Sequence, residues 1–497
     1  MNSQTRTIVI VGSGFSGTLV AINLLRHRSW GPGRIVLVER TPRIARGTAY
    51  ADRGHQYLLN VPASRMCASS AEPEDFLAFA RQRVPDATGN DFLPRALYGE
   101  YLESALLTAE LSAPPNIRLE RVHGEVCAME RTPGSSSYRL HLSDGRQLAA
   151  DDVVLALGNP VPASPKALEP ILGSRRYAES PWDAPKSCRP GETVLIVGTG
   201  LTMADITTSS IDWTRGDLTV HAISRHGLLP LSQTPFSHGS PTESDGTLLL
   251  REASFSARKL VRAVRDLARK SQTKSGDWRE VITFVRGIAP SLWKRLPVRE
   301  RRRFLRHARA YWDIHRHRLP QQTLSQLDRL RAERKLHVHA GRITDAVRNG
   351  DKIHITWKPR GADQTTTLIV DRVINCTGPD YNPYRSRDPL MHSLLAQRIA
   401  TADELNLGLR TGANGALVDS RGRESGNVYY VGPHLRADHW EATAVQELRS
   451  YAERVASHLA GEKKWSRLRT RVAASLGAVA AVGAAVAAAA AAVTTRG

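Results

Sequence analysis

Short apolar runs that end in glycine recur along the chain, and this pattern predicts buried parallel strands. Two of these runs lead directly into helical spacing of apolar residues: TIVIVGSGFSG at Thr7–Gly17 and TVLIVGTGLTMAD at Thr193–Asp205. Similar runs end at Gly158, Gly378 and Gly432. Strands that alternate with helices indicate an α/β fold, and the two strand–glycine–helix segments indicate that one unit of this fold occurs twice.

The first glycine turn, VGSGFSG, has the spacing of a dinucleotide-binding turn. Gly12 allows the tight turn after the strand, Gly14 allows a pyrophosphate to approach the backbone, and Gly17 allows the helix to pack on the strand. The next apolar run, RIVLVE, ends in Glu39, where an acid accepts hydrogen bonds from ribose hydroxyls. Strand, glycines, helix, second strand and terminal acid occur in the expected order, so we expect a nucleotide here.

The second glycine turn departs from the first in its third glycine and in its terminal acid. Gly198 and Gly200 are kept, but Met203 stands where a third glycine is usual. The following strand, LTVHAIS, ends in Ser224 and Arg225 instead of an acid. Arginine pairs with a 2′-phosphate that a carboxylate would repel, so this turn is expected to bind NADPH, with the serine hydroxyl as a second donor. The alternative is a degenerate unit that binds no nucleotide.

Two dinucleotide sites in one chain are typical of a flavoprotein that a pyridine nucleotide reduces. Nicotinamide transfers hydride, whereas reaction with dioxygen or one-electron partners needs a flavin. We therefore assign FAD to the first turn and NADPH to the second. The expected fold is two Rossmann-like dinucleotide-binding domains with a helical insertion and an alanine-rich C-terminal helix.

The apolar pattern also predicts how these domains divide the chain. The strand NVYYVGP and the helical pattern that follows it indicate a return to the first domain near the end. The predicted segments are 1–160 and 379–460 for the FAD-binding domain, 161–190 for a proline-rich linker, 191–378 for the NADPH-binding domain with helices inserted at about 232–334, and 461–497 for a basic, alanine-rich tail.

The last helical pattern, WEATAVQELRSYAERVASHL, begins at Trp440. A helix that starts beside the flavin would direct its positive dipole towards the pyrimidine end of the ring, where reduction builds negative charge. Glu441 is expected to cap this helix. The alternative is an ordinary first-turn glutamate that has no contact with the flavin.

Composition excludes several other classes of protein. The chain has 497 residues, 41% of them hydrophobic, which is enough for large buried cores. Its 4 cysteines lie far apart without a C-x-x-C pair, which argues against a disulfide framework, a zinc knuckle or an iron–sulfur cluster. The first residues lack the pattern of a signal peptide. We therefore expect a cytoplasmic protein.

The chain is strongly basic, with 69 Lys and Arg against 48 Asp and Glu and a net charge of +21. Much of the excess lies in an arginine-rich block at Lys294–Arg318, which predicts either a solvated helical face or an anion site. Arg316 and Arg318 in WDIHRHR could bind an anion or pair with carboxylates. The i, i+2 spacing of the acid and histidines there matches no metal site, and no nucleic-acid motif occurs, so we expect neither partner.

Four segments resemble the FAD-NAD(P)-binding proteins, a family related to flavin-dependent monooxygenases: GTAYADRGHQYLLNVPASRM, SRHGLLP, ARAYWDIHRHRLP and VGPHLRADHWEATAVQELR. The resemblance implies that Gly47–Tyr50, Asn60–Pro62 and Trp440–Thr443 line the flavin. Family members hydroxylate urate or the nitrogen of amino acids. The resemblance therefore implies the class of reaction, hydroxylation, but does not identify the substrate. YAESPW at Tyr177–Trp182 lacks the histidine of the Baeyer–Villiger signature, which argues against that subgroup.

We therefore expect an FAD-dependent, NADPH-reduced monooxygenase that uses dioxygen to hydroxylate a small polar or anionic substrate. The alternatives are an NADPH-dependent flavin reductase or oxidase without oxygen insertion, and a nucleotide-binding redox sensor. Candidates for a catalytic role are Asn60, Trp440 and Glu441. The residues predicted to bind the cofactors are Gly12, Gly14, Phe15, Ser16, Gly17, Glu39, Tyr50, Asn60, Gly158, Gly198, Gly200, Thr202, Ser224, Arg225, Gly378, Gly432, Trp440 and Glu441.

The alanine-rich tail allows two interpretations. Val472–Val493 carries no charge and follows the basic segment KKWSRLRTR. As a helix it would be long enough to cross a bilayer core, which predicts a membrane anchor. Because alanine is a strong helix former and only a weak hydrophobe, a low-complexity helical extension is the alternative.

Overall fold

A computed structural model of the protein describes residues 5–461, except 28, 29, 31, 56, 183, 234–240, 274 and 275. The predicted tail at 461–497, including the alanine-rich run, lies outside the described residues apart from Gly461. None of the helices in the described ranges is long and apolar enough to cross a membrane.

The described chain contains eighteen strands and fourteen α-helices. The strands are β1 (Arg6–Val11), β2 (Gly33–Glu39), β3 (Ile117–His123), β4 (Val126–Arg131), β5 (Tyr138–Leu142), β6 (Gln147–Ala150), β7 (Asp152–Leu155), β8 (Tyr177–Ala178), β9 (Glu192–Val197), β10 (Leu218–Ser224), β11 (Ser232–Gln233), β12 (Leu319–Pro320), β13 (Leu336–Asn349), β14 (Lys352–Pro359), β15 (Thr366–Val370), β16 (Arg372–Asn375), β17 (Ala416–Val418) and β18 (Glu424–Tyr430). The helices are α1 (Phe15–Arg26), α2 (Gly47–Tyr50), α3 (Asp75–Arg81), α4 (Arg95–Leu111), α5 (Leu201–Trp213), α6 (Glu243–Phe255), α7 (Ala257–Thr273), α8 (Trp278–Arg295), α9 (Val298–His307), α10 (Arg309–Arg316), α11 (Gln321–Ala332), α12 (Pro389–Ala396), α13 (Arg436–His439) and α14 (Val445–Leu459).

The first unit is built on a six-stranded sheet in the order β17-β18-β7-β1-β2-β3. Apart from the antiparallel edge strand β17, its neighbours pair in parallel. The last four residues of β1 are buried because the strand lies centrally, with α1 and α14 covering one face. A strand covered on both faces needs a continuous apolar run, which is why this segment lacks the alternation of a half-exposed strand.

The second unit is built on a seven-stranded sheet in the order β15-β14-β13-β10-β9-β16-β8. β9 lies between β10 and β16, parallel to both, and α5 packs beside it. The predicted α/β class with two Rossmann-like units is thereby confirmed. The segment 161–190, predicted to be a linker, supplies the edge strand β8, and its Leu168, Ile171 and Tyr177 lie in the core of this unit.

Helices α6–α10 form the insertion between β11 and β12, and their apolar faces share one core with Trp440. The Trp440 indole stacks on that of Trp293 with ring centroids 4.6 Å apart. The prediction that the last helix begins at Trp440 is wrong, since α14 begins at Val445. Trp440 has a φ of 50°, outside the right-handed helical region, so its backbone does not continue a helix. Its side chain packs into the core of the insertion.

Three half-buried histidines stack on one face of the second sheet, at its β10–β13 pair. The ring of His221 lies 4.7 Å from that of His337 and 5.2 Å from that of His339, measured between centroids. Burial, followed by the two neighbouring rings, lowers the pKa of His221 to about 4. His221 is therefore neutral in the folded protein at pH 6, where part of the unfolded chain is protonated at this residue.

We expect this stack to make the protein less stable as pH falls from about 7 towards 4. Unfolding releases His221 to take up a proton there, and one such proton lowers the free energy of unfolding by at most about 1.4 kcal/mol per pH unit. Urea unfolding at pH 7 and pH 5 measures the effect. His221→Gln should reduce the loss of stability between the two pH values, whereas His307→Gln, at an exposed histidine of α9, should leave it unchanged. Equal losses in all three proteins would contradict this assignment.

Candidate functional site

A cleft of about 2060 Å³ lies between the two units, at the carboxyl ends of strands from both sheets. In open α/β sheets this is the edge at which ligands bind. The structure brings most of the predicted binding residues together here. Those that line the cleft are Gly12, Gly14, Phe15, Ser16, Glu39, Tyr50, Asn60, Gly158, Gly198, Gly200, Thr202, Ser224, Arg225 and Gly378.

The first glycine turn leaves backbone N–H groups free at the cleft. Gly12 has a φ of 97°, and a Cβ there would collide with the carbonyl oxygen of Ala156. Gly14, the residue before α1, has a φ of −66° and makes no side-chain cap. A Cβ on Gly14 would lie 3.6 Å from the Cα of Gly47, an ordinary contact. The uncapped N-terminus of α1 therefore suits an anion, and the fold alone does not require glycine at position 14.

The carboxylate of Glu39 is held beside this turn by four hydrogen bonds. Its Oε2 accepts from the N–H and the hydroxyl of Ser13, each at 2.9 Å. Its Oε1 accepts from the N–H and the hydroxyl of Thr41, again at 2.9 Å. The acid is thus oriented at the carboxyl end of β2, where a ribose would lie in a Rossmann site.

The second glycine turn has the same construction. Gly198 has a φ of 113°, and a Cβ there would collide with the carbonyl oxygen of Cys376. Gly200 precedes α5 without a side-chain cap, and a Cβ on it would meet nothing within 4 Å. Met203, in place of the third glycine, is completely buried in the core between α5 and the sheet. A phosphate can therefore approach this turn as it can the first.

Four basic residues line the cleft near the carboxyl end of β10, the strand that follows the second glycine turn and α5. Arg225, predicted to bind NADPH, lines the cleft together with Arg342, Lys358 and Arg360. Arg342, Lys358 and Arg360 come from β13, β14 and the turn after β14. They are far in sequence from the glycine turn, so its motif did not predict them. The guanidinium of Arg360 lies 2.8 Å from Nδ1 of His226. Together the cations form a pocket suited to a phosphate.

Ser224 has a structural task that the sequence did not indicate. Its hydroxyl lies 2.8 Å from that of Thr199 and accepts a hydrogen bond from the N–H of Gly227 at 3.0 Å. These contacts hold the two loops at the carboxyl ends of β9 and β10 together. In both contacts the Ser224 oxygen is the acceptor, so its own proton is not used in them, and its contact with a 2′-phosphate stays a prediction.

Glu441 and Trp440 lie behind the cleft and do not line it. The carboxylate of Glu441 is 2.7 Å from Nε of Arg316 and accepts a hydrogen bond from the Trp312 indole at 2.8 Å. Burial opposes ionisation, yet Arg316 holds the pKa of Glu441 below its usual value. The prediction that Glu441 caps the last helix is wrong, since α14 has no side-chain cap and Ala444 precedes it.

The other residues singled out in the sequence, Gly17, Gly432 and the WDIHRHR segment, make contacts within the protein. Gly17 lies beneath the first turn, where a Cβ would collide with the carbonyl of Gly12. Gly432, with a φ of 155°, lies against the Tyr430 ring outside the cleft lining. In the WDIHRHR segment, Asp313 pairs with Arg309 at 3.4 Å. Within the described ranges, no group of three His, Cys, Asp or Glu side chains is arranged to hold a metal ion.

A pair of polar contacts joins the two units beside the cleft. Arg95 of α4 pairs with Asp205 of α5 at 2.8 Å, and the hydroxyl of Tyr57 donates to that of Ser209 at 3.1 Å. Burial raises the pKa of Asp205, and the facing Arg95 opposes that shift. In the sequence Asp205 stands at the end of a glycine motif, where no pattern indicates a partner, so this link was not predicted.

Comparison with known proteins agrees with this geometry. Residues 9–160 match the family model described as FAD-NAD(P)-binding. This segment is an FAD-NAD(P)-binding domain. The predicted resemblance is thereby confirmed, and the segment contains the first glycine turn, Glu39 and the strand-end loop at Gly158. No curated protein sequence matches the chain.

Solved structures of flavin-dependent monooxygenases share the fold around this FAD-NAD(P)-binding domain. Ornithine N-hydroxylase of Kutzneria sp. 744, in a complex of reduced FAD, NADP⁺ and L-ornithine, is 18% identical with a TM-score of 0.63, over 92% of this chain and 100% of its own. The cadaverine monooxygenase of Erwinia amylovora, bound to FAD, is 14% identical with a TM-score of 0.62, over 92% and 95%. L-lysine 6-monooxygenase of Pseudomonas syringae is 15% identical with a TM-score of 0.61, over 92% and 99%. At these identities the likeness establishes a common fold.

Gly12 and Gly14 differ in whether the fold tolerates a side chain, so their alanine variants should fail in different ways. Gly14→Ala should fold normally, since its φ and its surroundings accept a Cβ, but should bind FAD at least tenfold more weakly, a loss of about 1.4 kcal/mol. Gly12→Ala should lower thermal stability, because both its φ and the Ala156 carbonyl oppose a side chain. Flavin absorbance per protein and thermal unfolding measure the two effects. Gly426→Ala, where a Cβ meets nothing within 4 Å, is the control. Full FAD content in Gly14→Ala would contradict the site.

Proposed function

We propose that the protein is an FAD-dependent, NADPH-reduced monooxygenase that hydroxylates a small polar or anionic substrate with dioxygen. The observation that carries the proposal is that two uncapped glycine turns, one from each sheet, open onto the same cleft. This arrangement suits two dinucleotides whose reactive rings must meet. The fold shared with ornithine, lysine and cadaverine monooxygenases supports the same reaction class.

The residues of the first turn fit FAD. Backbone N–H groups at the start of α1 would bind the pyrophosphate, and the oriented carboxylate of Glu39 would accept a ribose hydroxyl. Thr443 and Val445, at the start of α14, line the cleft from another side. Bound FAD would take hydride from NADPH and supply the electrons that activate dioxygen. The uncapped N-terminus of α14 would place positive potential near the site.

The residues of the second turn fit NADPH. The start of α5 and the open space at Gly200 would admit the pyrophosphate. Arg225, with Arg342, Lys358 and Arg360, would bind the 2′-phosphate. Guanidinium groups pair with phosphate through parallel charge-assisted hydrogen bonds, so these cations suit a nucleotide that carries a 2′-phosphate.

The same cleft would serve a flavin reductase or oxidase that inserts no oxygen. The test must therefore show whether the electrons from NADPH end in peroxide or in a hydroxylated product. Purified protein should be yellow and should oxidise NADPH, releasing peroxide when no substrate is present. L-Ornithine, L-lysine and cadaverine are the first substrates to assay, because solved relatives act on them. A substrate that accelerates NADPH oxidation and is recovered hydroxylated supports a monooxygenase. Peroxide yield equal to NADPH consumption with every substrate supports an oxidase, and protein without FAD or NADPH turnover refutes both enzymes.

Nucleotide preference tests the basic pocket. Arg225→Ala should weaken NADPH binding by roughly 1.5–3 kcal/mol, about ten- to a hundredfold, since a charge-assisted contact is lost. NADH use should barely change, because NADH lacks the 2′-phosphate. Rapid-mixing reduction of the flavin by each nucleotide measures both values.

Arg348→Ala is the matched control for this pocket, since it removes an exposed arginine of β13 outside the cleft lining. It should leave the NADPH preference unaltered. Equal use of NADH and NADPH by the unmodified protein, or an unchanged preference in Arg225→Ala, would overturn the assignment of this pocket to NADPH.

A further inference from the structure

We propose that Arg436 binds the anionic group of the substrate, and that this group is a carboxylate or an anion of similar shape. The inference rests on the proposed function, because it names the substrate class of the same cleft. It places the anion site away from Arg316, for which the sequence left both an anion and a carboxylate partner open. Arg316 is already paired with Glu441 at 2.7 Å.

Arg436 is a buried cation that reaches the cleft. It begins α13, directly after the loop that follows β18, and only 9% of the residue is exposed. It nevertheless lines the cleft together with Tyr381, Arg309, Asp313 and His317. The last three belong to the end of the helical insertion, so this wall is separate from both glycine turns and from the basic pocket around Arg225.

Aromatic rings hold the guanidinium of Arg436 in place. Its Cζ lies 4.0 Å from the ring centroid of Trp440 and 5.3 Å from that of Tyr381. The other face of the Trp440 indole stacks on Trp293. The positive φ of Trp440, unfavourable for a bulky residue, is maintained by this packing. A cation between aromatic rings is oriented before a ligand arrives, which lowers the entropic cost of binding.

The charge of Arg436 is not balanced inside the protein. In the described part of the chain no carboxylate lies within ion-pair distance of it, and its Nε has no hydrogen-bond partner. The two acids nearby are engaged elsewhere, Asp313 with Arg309 and Glu441 with Arg316 and Trp312. A buried charge is costly unless it is paired, so an anionic ligand would supply the missing partner.

The surroundings of Arg436 favour a carboxylate over a cation. Burial, followed by Arg316, lowers the pKa of His317 to about 4, so that the imidazole is neutral near pH 7. Arg309 contributes a second positive charge at this wall, and its partner Asp313 is the acid there. The guanidinium fork matches the geometry of a carboxylate through two parallel hydrogen bonds. The phosphates of the two nucleotides have their own donors at the glycine turns.

The experiment compares benzoate with benzamide, two probes of the same shape that differ in charge. Binding to purified protein with its FAD is measured by calorimetry, which requires no turnover. We expect benzoate to bind at least tenfold more tightly than benzamide. Arg436→Met should weaken benzoate at least tenfold and leave benzamide unchanged, and Arg436→Lys should lie between. Arg423→Met, whose side chain is 67% exposed and lies outside the cleft lining, should bind benzoate like the unmodified protein.

Two outcomes would overturn the proposal. One is that Arg436→Met binds benzoate as tightly as the unmodified protein does. The other is that this variant loses FAD, which would make Arg436 a flavin contact. If Arg436→Met does not fold, Arg436→Lys decides the question, since unchanged selectivity for benzoate there excludes a guanidinium–carboxylate contact. FAD content and NADPH oxidation are measured on the same samples. Selective benzoate binding without NADPH oxidation refutes the proposed enzyme alone, whereas NADPH oxidation without selectivity refutes the anion site alone.

Discussion

The structure depends on a close approach of backbone to backbone at the glycine turn of each sheet. At the first turn Gly12 lies against the carbonyl of Ala156, and at the second Gly198 lies against the carbonyl of Cys376. In each case a loop that follows a neighbouring parallel strand leaves no room for a side chain. This contact places the next residues so that α1 and α5 begin at the cleft without side-chain caps. Both glycine turns therefore arise from one steric constraint.

The helical insertion completes the cleft through contacts with the returning segment of the first unit. Trp440 packs between Trp293 and the guanidinium of Arg436, while Glu441 binds Arg316. These contacts cross between segments that are far apart in sequence. They explain why the last helix begins only at Val445, since the residues before it are directed into the insertion. The wall that we assign to substrate is thus formed jointly by the insertion and by α13.

The sequence predicted the two turns because local chemistry determines them. Glycine is required wherever φ is positive and a carbonyl is close, and the apolar runs reveal the buried strands before each turn. Gly12 and Gly198 follow from this requirement, whereas Gly14, Glu39, Gly200 and Arg225 were predicted from their spacing within the motif. The predictions that the last helix begins at Trp440 and that Glu441 caps it were wrong, because an acid and an aromatic residue at the start of a helical pattern look the same whether they cap the helix or pack against a distant element.

The sequence by itself determined the α/β class, the duplication of the dinucleotide-binding unit and the basic character of the second site. Only the tertiary structure decided which cations surround that site, since Arg342, Lys358 and Arg360 reach it from β13, β14 and the turn beyond. It alone also decided that Arg316 is paired with Glu441 and that Arg436 carries its charge to the cleft without a carboxylate partner in the described chain. The physical reason is that a motif is read over a few neighbouring residues, whereas the pairing of buried charges depends on which distant elements pack against one another.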